Sequence, residues 1–314
     1  MRILRSNRYN ENAIHRSPLL TAHCSLLLFL AFLSCQTAPQ TPDVFPDDAA
    51  YIPLDSGASA YIAADIQNAR PILNELDFIN INDEQFQQML DQTQFAVAGI
   101  YAPQGTRRYQ LTAWGSYPSS RAKIALGASK GWKKQRSQIT GDDYWYSAKG
   151  GLSIAITAGR AFVSVAAGNA SDASPDTSTD PFSAAPGTII PEGFNQFREG
   201  SILSCWFTDP GPAINQKLME MGIPLELPAE QIFVSLFPAD EQLYEAHLRI
   251  QVAGETQAMA LTMVFAFARN FIPTQNEMSI LFANPPVQDG KSLNITTAPL
   301  SAQEIALLLK FFSL

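Results

Sequence analysis

Apolar positions in this chain follow two rhythms. Short runs that alternate, or are continuously apolar, fall at residues 58–65, 95–101, 109–114, 152–158 and 161–166. A second set falls at 201–209, 232–237, 244–250, 278–284 and 292–297. A period of two marks strands, and Gly, Pro and Asp between the runs mark turns. Between the strands lie stretches with helical spacing. One opens at Pro71, where an early proline suits a first helical turn. Others run over about 120–135, from Pro212 to 219, and over about 256–268.

The two sets have the same order: strand, helix, strand, strand, helix, strand, strand. Each first strand ends in an aspartate, Asp65 and Asp209. Pro103 and Pro238 fall in equivalent hairpins, and Tyr109 and Tyr244 open the return strands at the same offset. This predicts an α+β fold of two similar units, each an antiparallel sheet with two helices on one face, as from a tandem duplication. A last helix is predicted over 301–314. There Ser301 and Glu304 form a capping box, and Leu300 and Ile305 occupy the staple positions. Ile305, Leu307, Leu308, Leu309, Phe311 and Phe312 make that helix too apolar to stand in water, so it should dock on the body, between the halves.

The first 35 residues follow a different pattern. Arg2, Arg5, Arg8 and Arg16 precede an apolar stretch from Leu19 to Leu33, which ends in Ser34-Cys35. At 15 residues this stretch falls short of the roughly 20 needed to span a bilayer as a helix. It suits the apolar region of an export signal. With a small residue before the cysteine, it resembles the bacterial lipoprotein precursor. The resemblance implies diacylglycerol on the Cys35 thiol, cleavage before Cys35 and acylation of the new N-terminus. It covers about a tenth of the chain and implies nothing about the folded part. Gln36, in place of Asp, leans towards the outer membrane or cell surface in lipoprotein sorting.

The resulting organisation is a signal peptide at 1–34, a lipid-anchored tether at 35–48, unit one at 49–167, a Ser/Thr/Pro/Asp-rich linker at 168–190, unit two at 191–300 and the terminal helix at 301–314. Pro39, Pro42 and Pro46 stiffen the tether.

Composition changes this picture in three ways. The 314 residues are 46% apolar and 16% charged, which is enough for a core and excludes a wholly disordered chain. The formal net charge is −8. Residues 1–34 hold four basic and one acidic residue, so the mature chain keeps 17 basic and 28 acidic, net −11. Such a chain is no nucleic-acid binder. Its body is expected to stand off an anionic membrane on its tether. Of three cysteines, Cys24 leaves with the signal and Cys35 is lipidated. Cys205 then remains alone, a small buried residue in a strand-like run with no disulfide partner.

Candidate chemistry is sparse. His247 is the one histidine of the mature chain, on the polar side of the 244–252 alternation, and no multi-Cys or His cluster predicts a metal. Ser120 and Lys123 have Ser-x-x-Lys spacing without companion motifs, and Ser120 reads as a helix N-cap. Asp289-Gly290-Lys291 is a hairpin turn, since Pro285 stands where a phosphate loop needs glycine. Asp172, Asp176 and Asp180 belong to a solvated linker. Asp142, Asp143, Tyr144, Trp145 and Tyr146 form an acidic and aromatic cluster that unit two lacks; they are the candidate contact surface, beside the default reading of core or edge-strand aromatics. No cofactor is expected. Two functional readings remain. One is a membrane-anchored, non-enzymatic module or scaffold with a protein, peptide or glycan partner. The other is an extracytoplasmic hydrolase acting on envelope glycans through carboxylates.

Overall fold

Strand register sets the architecture. The computed structural model describes residues 51–312 except 53, 76–86, 88–89, 102–107, 129–130, 148–150, 158, 167–179, 183–187, 190–198, 221–225, 241 and 269–283. The first half supplies β2 (Ala60–Asp65), β3 (Thr93–Tyr101), β4 (Arg108–Gly115), β5 (Trp132–Arg136), β6 (Asp143–Ser147), β7 (Leu152–Thr157) and β8 (Arg160–Ala166). The second supplies β10 (Leu203–Phe207), β11 (Ala229–Pro238), β12 (Leu243–Val252), β13 (Val287–Asp289), β14 (Ser292–Thr296) and β15 (Leu300–Ser301). Two short strands, β1 (Tyr51–Ile52) and β9 (Thr188–Ile189), pair with each other. The helices are α1 (Ile66–Asn74), α2 (Ser119–Ala128), α3 (Gly211–Glu220), α4 (Glu255–Ala268) and α5 (Ala302–Phe312).

Apart from β1 and β9, all the strands belong to one sheet of thirteen, ordered β13-β14-β12-β11-β10-β2-β3-β4-β8-β7-β6-β5, with β15 on β12. Every pairing is antiparallel. The expectation of a separate sheet in each unit is corrected here: β2 and β10 pair along their whole length and make the two sheets one. Alone, each unit would leave that first strand as an open edge with unpaired backbone donors and acceptors. Outward from this junction the order is β2-β3-β4-β8-β7 on one side and β10-β11-β12-β14-β13 on the other. The run 278–284, expected as a strand, lies largely outside the described residues.

Directly paired residues share a face. One row crosses ten strands: Trp145, Ile154, Val163, Leu111, Ala98, Ile62, Cys205, Val234, Leu248 and Ile295. The helices cover this side. Ile66 and Ile72 of α1, Ala258 and Leu261 of α4 and Ile305 and Leu308 of α5 share a core with its centre and second half. Ala122 and Leu126 of α2 pack with Leu152, Ile154 and Ile156 at the other end. Helix α5 touches α1 as well as β12 and β15, so it bridges the two halves. Its capping box forms as the sequence predicts. Glu304 N–H donates to Ser301 Oγ at 3.3 Å, and Ser301 N–H donates to Glu304 Oε2 at 2.8 Å.

Two helix boundaries differ from expectation. Helix α1 starts before Pro71, because Asp65 caps it and accepts from Asn68 N–H at 3.1 Å. The helix expected over 120–135 stops at Ala128. Gly131, at φ +95°, turns the chain, and Trp132–Arg136 becomes an edge strand. Charged residues mask strand alternation, and Lys and Arg on an edge strand deter stray pairing. Ser120 lies inside α2, exposed, not at its cap.

Candidate functional site

The face opposite α1, α2, α4 and α5 carries the polar and aromatic residues. Its central row runs Tyr146, Ser153, Ser164, Gln110, Gly99, Tyr61, Trp206, Phe233, Arg249 and Asn294. Tyr61 and Trp206 stack across the β2–β10 junction at 5.2 Å between ring centroids, and Trp206 stacks on Phe233 at 6.3 Å. Gly99 leaves room beside them, since a Cβ there would meet the Tyr101 hydroxyl at 2.9 Å. Leu54 and Ala58, from the segment leading into β2, pack on this aromatic cluster.

Asp55 holds that segment in place. Its Oδ2 accepts from Arg108 Nη1 and from Gln110 Nε2, each at 2.8 Å. Its N–H donates to Gln110 Oε1 at 3.0 Å, and its carbonyl accepts from the hydroxyls of Tyr61 (2.8 Å) and Tyr101 (2.7 Å). The Tyr101 hydroxyl also reaches Gln110 Oε1 at 2.8 Å, and the Arg108 guanidinium lies 4.2 Å from the Tyr101 ring centre. Burial raises the Tyr101 phenol well above its ordinary range; the nearby Tyr61 and Asp55 raise it further and Arg108 opposes them. The hub therefore keeps a neutral phenol donor. Asp55 is fully occupied in fastening the segment between tether and sheet.

Beyond Phe233 the same face is shallower and half-buried. Phe237 and His247 meet at 4.6 Å between ring centroids with their planes tilted by 45°, Glu245 lies 3.5 Å from His247, and Arg249 lies 3.4 Å from Asp289 of β13, across β14. Ser201, half-buried, and Ser204 and Ser235, both buried, form a chain of hydroxyls beside them. These groups suit hydrogen bonding and stacking. Among the described residues no three or more His, Cys, Asp or Glu come together to hold a metal ion. Cys205 lies on the helix side, and burial pushes its thiol up to about 12, far from a reactive thiolate.

In the candidate contact cluster the aromatic side chains take the core reading. Tyr144, Trp145 and Tyr146 are 5%, 3% and 8% exposed, because both faces of β6 are covered. Trp145 points to the helix side with Ala122 and Leu126. Tyr144 and Tyr146 pack with Phe182, which also contacts Phe162 at 4.9 Å between ring centroids. Phe182 lies in the stretch expected as linker, so that part is docked on the sheet. Asp142 and Asp143 stay exposed, and Asp143 pairs with Lys134 at 2.7 Å. Cys35, the tether, Asp172 and Asp176 lie outside the described residues. Asp180 accepts from Ser137 Oγ at 2.8 Å. Ser120 and Lys123 are both exposed, and Gly290 sits at φ +56° in the β13–β14 turn expected there. The Asp55 hub had no motif in the sequence; its one trace was Gln110 among the alternating residues of β4.

A mostly antiparallel α+β sheet with helices packed on one side is thus the class the chain folds into. The comparisons then point to one family. Residues 50–178 match the model of the outer membrane-associated lipoprotein TP0453 family. Solved structures of TP0453 share the fold. Crystal form I is 17% identical with a TM-score of 0.58, covering 84% of this chain and all of that one. Crystal form III is 16% identical with a TM-score of 0.56, covering 82% and 95%. Comparison with curated protein sequences finds no match. The matched family is an outer membrane-associated lipoprotein, in agreement with the membrane-anchored envelope location expected from the N-terminus.

Proposed function

We propose that the chain is a lipid-anchored module of the outer membrane or cell surface, non-enzymatic, that offers the second-half portion of the sheet face opposite α1, α2, α4 and α5 to a protein, peptide or glycan partner. Cys35 carries the acyl chains and residues 35–48 the tether. The observation that carries the contact face is its row of half-buried aromatic and hydrogen-bonding side chains, Phe237, Glu245, His247 and Arg249, left outside the helix-covered core. We read the body as a duplicated unit, 49–167 and 191–300, joined by 168–190. The strand order repeated outward from β2 and β10 supports that reading. No observation favours the carboxylate hydrolase.

Two experiments test this. Labelling with a fatty-acid analogue marks the native chain and not Cys35→Ala; equal labelling of both overturns the anchor. Crosslinking in intact envelope identifies a neighbour, whose yield falls at least several-fold in Phe237→Ala/His247→Ala. A neighbour retained in full by that variant moves the contact off this face.

A further inference from the structure

The negative charge of the body is not evenly spread. Residues 121–149 hold seven Lys or Arg against two Asp, net +5. The rest of the chain from residue 35 holds 10 basic and 26 acidic residues. The fold brings the described members of this run to one end of the sheet. Lys133, Lys134 and Arg136 lie on β5, the terminal strand, and all three are exposed. Lys123 is exposed on α2, which packs beside β5 and β7. Lys134, through its hydrogen bond above all, then Arg136 and Lys123 through their charge, hold the exposed Asp143 carboxyl below its ordinary range, so their fields overlap. Asp142 and Asp143, both exposed beside these four cations, offset part of this charge and leave it net positive. Two large apolar side chains stand in the same region: Ile124, 72% exposed on α2, and Ile139, 45% exposed on the turn between β5 and β6.

We propose that this end of the sheet, formed by β5, the β5–β6 turn and the outer side of α2, docks on anionic lipid headgroups. Exposed cations near an anionic surface each add to binding, and isolated apolar side chains beside them suit the headgroup boundary. Edge protection alone would account for the β5 cations, but not for Lys123, Ile124 and Ile139. Charge complementarity favours a membrane, which the matched family already associates with. The distances allow it. Six strand spacings separate β2 from β5, about 29 Å at ~4.8 Å each. The sixteen residue-to-residue steps from Cys35 to Tyr51 reach up to about 55 Å when extended. The inference rests on the anchor reading only in placing tether and edge at the same membrane. It replaces the expectation that an acidic body stands clear of the surface: the body is acidic, and this end of it is not.

The test uses residues 35–314 carrying Cys35→Ala, which cannot be acylated and contain the entire described fold. Sedimentation with phosphatidylcholine vesicles, with and without phosphatidylglycerol, reads the affinity. The expected result is at least ten-fold tighter binding to the anionic vesicles, abolished by high salt. Lys133→Gln/Lys134→Gln/Arg136→Gln weakens it on the order of 100-fold, about five-fold per cation. Lys291→Gln, exposed at the far end of the sheet, changes it less than two-fold. Lys123→Gln, outside the edge strand, gives the single-cation loss and guards against a folding effect in the triple variant. Equal binding to both vesicles, or a triple variant that binds as the parent does, overturns the proposal. Failure of acyl labelling at Cys35 with anionic-vesicle binding intact would overturn the anchor and leave this surface standing.

Discussion

Removing the Asp55 carboxylate should loosen the attachment of the tether-proximal segment and cost stability that the structure allows one to size. Asp55→Ala deletes two bonds to Oδ2, from Arg108 and Gln110 at 2.8 Å each, and keeps the backbone bonds to the tyrosines. A hydrogen bond to a charged group contributes about 1.5–3 kcal/mol, and a stranded buried donor costs about 1–3 kcal/mol. Gln110 is 2% exposed, so its amide would be stranded. The side chains of Arg108 and Asp55 are 26% and 25% exposed, so water screens part of the ion pair. The net expectation is a loss of about 2–4 kcal/mol. For a chain this long that lowers Tm by roughly 5–12 °C. Urea unfolding followed by tryptophan fluorescence measures it, because Trp206 and Trp114 belong to the cluster under the segment. Asp55→Asn, which keeps an acceptor oxygen without the charge, should lose about half as much. A double-mutant cycle of Asp55→Ala with Arg108→Ala should return a coupling above about 1 kcal/mol. A loss below about 0.5 kcal/mol, or additive single effects, would refute the reading of Asp55 as the hub.

Other positions make independent predictions. Gly115→Ala would place a Cβ 1.9 Å from the Gln92 carbonyl oxygen, so the β3–β4 pair must shift. A loss of about 1–3 kcal/mol or more is expected in denaturant unfolding, and wild-type stability would show that the contact relaxes freely. Ser301→Ala removes the reciprocal cap of α5 and should cost about 1 kcal/mol by the same assay, with Ser301→Thr retaining most of it. Cys205, with its thiol raised to about 12 by burial, should resist alkylation at pH 8 in the folded Cys35→Ala chain and react at once in denaturant. Rapid labelling of the folded chain would show that β10 opens.

Several of these features were legible in the sequence because each is set by neighbours along the chain. Alternation in 244–252 placed Tyr244, Ala246, Leu248 and Ile250 inward and Glu245, His247 and Arg249 outward, as they stand. Ser301 and Glu304, three residues apart, specified a cap that needs nothing from the rest of the fold. Local rules failed at Trp132–Arg136, where charge hid a strand, and they left Tyr144–Tyr146 open between core and surface, where burial on both sides makes them core.

By itself the sequence determined the rhythm of strands and helices, the two-part order of the body and an N-terminus that resembles a lipoprotein precursor. These depend on side-chain period, capping chemistry and charge, which act over a few residues. Only tertiary structure decided that β2 and β10 join the two halves into one sheet, that Asp55 meets Arg108 and Gln110 across more than fifty residues, and that the basic run gathers at one edge of an acidic body. Backbone pairing and buried polar satisfaction are cooperative and long-range. Their partners are chosen by where the chain returns, which no local pattern records.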